Sequence, residues 1–98
     1  MFITLTGFDH YAGIESVRPG MKLKLKKEPD NQYDDETIAV HSLNDVKYGY
    51  VANSVYTVAR GTHSAGYIYT TFIQETTCTV CFILRGAAIA RLDDEDAE

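Results

Sequence analysis

In "GMKLKLKK", residues 20–27, Met21, Leu23 and Leu25 alternate strictly with Lys22, Lys24 and Lys26. An apolar residue at every second position lines one face of an extended strand and cannot line one face of a helix, where the repeat is 3.6 residues. The same alternation returns in "FITLTG" (2–7), "TIAVHS" (37–42), "VKYGYV" (46–51), "GYIYTTFIQET" (66–76) and "TCTVCFILRG" (77–86). Turn residues punctuate the runs: "RPG" at 18–20, and "LND" at 43–45, short enough to close a hairpin. Five or six short strands in 98 residues predict a mostly β fold, because an open sheet would expose long unpaired edges that a closed or nearly closed barrel removes.

One stretch breaks the alternation. In "NSVYTVARG", 53–61, Asn53 or Ser54 can cap a helix, Val55, Val58 and Ala59 share a helical face, and Gly61 suits the stop, so a short helix is expected there. The chain reads as one domain over 1–92, followed by the acidic segment "DDEDAE", 93–98, expected to be a disordered tail. The tail holds five acids and no base, and accounts for the whole net charge of −5, since residues 1–92 carry nine acids against nine Lys and Arg. The body is therefore electrically neutral, which leaves polyanions open as partners.

Several function classes lose support. The first twenty residues lack a basic start followed by an apolar core, and the longest apolar run, "VCFIL", is too short to span a bilayer. No membrane association is expected, and the location reads as cytoplasmic, or nuclear in a eukaryote. Cys78 and Cys81 form a C-x-x-C, but on an alternating strand their sulfurs point to opposite faces and no His or second pair completes a zinc set. Neither metal nor cofactor is expected. The Ser and His residues sit in no nucleophile motif, so the chain reads as non-catalytic. An EF-hand opening at Asp30 fails because Asp35 stands where Gly is needed and His41 where Glu is needed.

The remaining feature is "EPDNQYDDETIAV", 28–40, with five acids around one Tyr. Together with "VKYGYVANS" downstream and "GFDHYAG" upstream it resembles the HIRAN domain family, over about residues 3–60. The resemblance implies a modified OB-like barrel of about six strands with one or two short helices. Some HIRAN domains are joined to Swi/Snf-type fork-remodelling ATPases and bind the 3′ end of single-stranded DNA, which sets them in DNA repair; others stand alone in bacteria. Carried onto this chain, Tyr33 stacks on the terminal base, Asp34 accepts a hydrogen bond from the 3′-hydroxyl and repels a phosphate, and Asn31 donates its amide to the terminal nucleotide or the adjacent backbone. His10 and Tyr11 line the opposite wall.

Blander roles stand beside these. Asn31 and Asp34 can serve as Asx-turn residues, and Tyr33 can plug the barrel end. The chain also departs from DNA-binding members: Asp9 stands where Arg is found, Asp30 where Asn is common, and Asn53 where Lys can reach a phosphate. All three changes remove phosphate attraction and predict weak binding. The alternative reading is a protein-interaction or adaptor module on the same barrel, its acidic loop and tail facing a basic protein partner.

Overall fold

The computed structural model describes residues 1–11 and 13–93. Its six strands are β1 (Phe2–Thr6), β2 (Lys22–Lys27), β3 (Ile38–His41), β4 (Lys47–Val51), β5 (Glu75–Leu84) and β6 (Ala87–Leu92), with one helix, α1 (Ala65–Ile68), before β5. All pairings are antiparallel, and the order β1-β4-β3-β2-β5-β6 closes through β6 onto β1. The mostly β barrel expected from the alternation is thus the fold observed. Inward positions supply its core: Ile3 and Leu5 of β1, Leu23 and Leu25 of β2, Ile38 and Val40 of β3, Cys78 and Val80 of β5, and Ala88, Ala90 and Leu92 of β6.

Two expected elements are corrected. Residues 53–61 form turns instead of a helix: the Ser54 hydroxyl accepts from Tyr56 N, the Thr57 hydroxyl donates to Ser54 O, and Ala59 N donates 3.1 Å to the hydroxyl of Thr4. These side chains offer the backbone partners that a helical ladder would otherwise supply. The expected strand 66–76 contains α1 and a 3₁₀ turn at Tyr69–Thr71. Ser64 caps α1 by accepting from Tyr67 N at 3.1 Å, and Ala65 and Ile68, three apart, both face the core. In so short a run, apolar spacing fits either period. The sixth strand lies instead at Ala87–Leu92, outside the expected strands.

Gly49 shows why β4 carries a glycine between two tyrosines. A Cβ there would run into the carbonyl oxygen of Thr6, so the end of β1 packs directly on the β4 backbone. On β5, Cys78 is buried and Cys81 half-buried, both free, on opposite faces as the alternation requires. Of the acidic segment 93–98 only Asp93 is among the described residues, and it is tied to the barrel: its carboxylate accepts from Lys22 at 2.7 Å and from Thr77 and Thr79 at 2.8 Å. The expectation for 94–98 lies outside the described residues. Among the described residues no helix is long and apolar enough to cross a membrane.

Candidate functional site

The acidic loop between β2 and β3 is closed at its base by Glu28 N donating to Thr37 O at 2.8 Å. Inside it, Asn31 Oδ1 accepts from the backbone N–H groups of Tyr33 (2.9 Å) and Asp34 (3.3 Å), while Asp34 Oδ1 accepts from Glu36 N at 2.9 Å. Both residues therefore act as Asx-turn formers. The Asn31 amide donates to Glu28 Oε1 at 3.2 Å. With the backbone fixed in this way, the Tyr33 ring is thrown into solvent, 87% exposed, and plugs nothing.

Asp34 is also gripped from outside the loop. Asn53 Nδ2 donates to Asp34 Oδ2 at 2.7 Å, and Asn53 Oδ1 accepts from Gly66 N at 2.8 Å, so one side chain ties the loop to the start of α1. Asn53, noted in the sequence as a lost cation, orients the carboxylate instead. No Lys or Arg among the described residues pairs with Asp34, and a carboxylate holding two hydrogen bonds keeps lone pairs for further donors.

The facing wall begins where Gly7, at φ 81°, turns the chain out of β1 into a 3₁₀ turn at Phe8–His10. Phe8 is buried and anchors the turn, which leaves His10 and Tyr11 on the surface. The Tyr11 hydroxyl shares a 2.9 Å hydrogen bond with that of Tyr50, their rings edge-to-face at 6.1 Å. That bond, more than its slight burial, raises the Tyr11 phenol above its ordinary range. Lys47 lies 4.5 Å from the Tyr50 ring centre and 5.6 Å from that of Tyr11, and its ammonium donates to Glu28 Oε2 at 2.7 Å. Burial opposes the charge on Lys47, yet the bonds to Glu28 and Tyr50 win and its pKa rises. For Glu28 burial is likewise outweighed, by Lys47 and Asn31, and its carboxyl is lowered. A continuous chain of contacts, Tyr11 to Tyr50 to Lys47 to Glu28 to Asn31, braces one wall against the other.

Between the walls lies an open cleft of about 530 Å³. His10, Tyr11, Asn31, Tyr33 and Asp34, the five residues singled out in the sequence, all line it. The sequence reading missed Tyr50 as part of this lining; its partner Tyr11 is 39 residues away, and only the β1–β4 pairing of Thr6 with Tyr50 brings the two together. Asp34 is the one Asp, Glu, Lys or Arg side chain on the described lining. Among the described residues no group of three His, Cys, Asp or Glu side chains could hold a metal ion. Chemically the cleft offers exposed aromatic faces and one preorganised anionic acceptor.

The HIRAN domain family model matches residues 1–78 of the chain. Among solved structures, a protein from Lactobacillus plantarum is similar at 25% identity with a TM-score of 0.65, covering 93% of this chain and 87% of that one. The HIRAN domain of human HLTF is similar in fold at 19% identity and a TM-score of 0.63, covering 94% of this chain and 73% of that one. No curated protein matches.

Proposed function

Since the chain belongs to the HIRAN domain family, we propose that it is a non-catalytic nucleic-acid-binding module whose cleft holds the 3′-hydroxyl end of single-stranded DNA. The observation that carries this reading is the convergence of His10, Tyr11, Asn31, Tyr33 and Asp34, from two separate segments, on one cleft. Tyr33 offers its ring to the terminal base, and such stacking contributes about 1–3 kcal/mol without demanding a sequence. Asp34, positioned by Asn53 and by Glu36 N, accepts from the 3′-hydroxyl with its remaining lone pairs.

The carboxylate then decides between a strand's end and its interior. A phosphate about 4 Å from Asp34 meets repulsion of about 1 kcal/mol per unit charge in water-like surroundings and about 4 kcal/mol at the lower effective dielectric of a protein surface. A hydroxyl preference of at least fivefold follows. Fluorescence anisotropy with 5′-labelled oligonucleotides ending in 3′-hydroxyl or 3′-phosphate tests it: the hydroxyl form binds more tightly, and equal affinities, or none at high micromolar protein and low salt, overturn it.

One observation favours the adaptor reading, namely that no Lys or Arg lines the cleft among the described residues. A basic peptide would answer Asp34 directly, and in that case neither oligonucleotide binds.

A further inference from the structure

The end cleft lacks the cations from which nucleic-acid affinity ordinarily comes. The lysines do not make good the lack, since every one is engaged: Lys22 with Asp93, Lys24 and Lys26 with Asp45, Lys27 with Phe72 O, and Lys47 with Glu28. Arg18 is spent on the carbonyls of Glu15 and Val17. The side chains of Arg60, Arg85 and Arg91, by contrast, make no hydrogen bond or ion pair among the described residues, and all three residues are exposed.

Arg60 lines a second open groove, of about 520 Å³, that meets the end cleft at Asn53. Across this groove Tyr67 is stacked on His63, with ring centres 4.2 Å apart and planes within 19°, and Tyr67 is still 60% exposed. The backbone leading into the platform is tied to β1. Thr4, itself buried, holds Ala59 N and the Thr62 hydroxyl through its side chain, and His63 N donates to Phe2 O at 2.8 Å. An unpaired guanidinium beside an exposed aromatic stack, next to a site for a strand's end, has the components that sequence-independent single-strand binding uses.

We infer that the groove of Arg60, His63 and Tyr67 carries the nucleotides immediately 5′ of the bound terminus, with a base continuing the Tyr67–His63 stack and a phosphate on Arg60. This inference rests on the end-binding reading and extends it from one nucleotide to a short track. Asn53, shared by both pockets, marks the passage between them.

The test is anisotropy with 5′-labelled oligothymidylates of two, four and six nucleotides, each ending in 3′-hydroxyl, against the native chain, Arg60→Ala, Tyr67→Ala and Tyr67→Phe. The native chain gains about tenfold in affinity from two to six nucleotides. Arg60→Ala and Tyr67→Ala lose that gain while leaving the dinucleotide's preference for 3′-hydroxyl over 3′-phosphate unchanged, Tyr67→Phe keeps the gain, and Arg60→Ala lowers the salt slope by about 0.7. A gain that survives both alanine substitutions, or a native chain with none, overturns the track alone, provided the dinucleotide still distinguishes 3′-hydroxyl from 3′-phosphate. Loss of that distinction overturns the end-binding reading, and the track with it.

Discussion

At Tyr33 and Asp34 the division of labour is between a ring that has nothing to hold it and an anion held twice. Tyr33→Ala removes an exposed side chain and costs no packing, so thermal stability stays within about 0.5 kcal/mol of the native value. Oligonucleotide affinity falls by about 1–3 kcal/mol in a titration of the same preparation. Asn53→Ala separates position from charge: it releases Asp34 Oδ2 and Gly66 N together, so the hydroxyl-over-phosphate preference narrows although Asp34 remains. Tyr11 gives a readout that needs no ligand. Its phenol is raised chiefly by the Tyr50 hydroxyl. A proton held more tightly in the folded state stabilises the fold below the ordinary phenol pKa of about 10, and that contribution is lost as pH rises through the folded value. Tyr50→Phe therefore moves the Tyr11 midpoint down in an ultraviolet titration; an unmoved midpoint contradicts the assigned bond.

Among the elements, β4 and β5 make the most exposed claims. A Cβ at Gly49 meets the Thr6 carbonyl, a backbone atom that cannot swing away, so Gly49→Ala costs about 1–3 kcal/mol in denaturant melts. On β5 burial pushes the Cys78 thiol up to about 12, so in the native fold a maleimide labels Cys81 first and Cys78 at the rate of unfolding. Alternation was legible wherever one face of a strand is large and apolar, as in β1 to β4. It failed at β6, where the inward residues Ala88 and Ala90 are too small to stand out from their neighbours. Around α1 it misled, since Tyr67, Ile68 and Tyr69 fit a strand until Ser64 caps the turn before them. The loop residues Tyr33 and Asp34 were legible because their motif is local. Tyr50 was not, because its role depends on the pairing of β1 with β4.

For the molecule as a whole, charge is organised more tightly than a net of −5 suggests. Lys22, Lys24, Lys26 and Lys47 are each paired with a carboxylate, and Asp93 fastens the end of β6 to β2 and β5. Burial tends to raise the Asp93 carboxyl, but Lys22, Thr79 and Thr77 lower it on balance, as Lys47 and Asn31 do for Glu28. Carboxyls lowered by folding stabilise the fold above the ordinary carboxylate pKa of about 4, and that contribution is lost as pH falls through the lowered values. Asp93→Asn thus destabilises by about 1–3 kcal/mol at neutral pH, and the gap to the native chain narrows in melts below about pH 4.

The barrel itself serves to set two distant segments, 10–11 and 31–34, on either side of one opening. The most direct measurement is a backbone-amide NMR titration of the isotope-labelled chain with a dinucleotide ending in 3′-hydroxyl. Large shifts concentrated at Tyr11, Tyr33, Asp34 and Asn53 are predicted, and smaller ones at matched concentration with the 3′-phosphate form. Shifts centred on the Lys22–Lys26 face, or equal responses to the two dinucleotides, contradict the account.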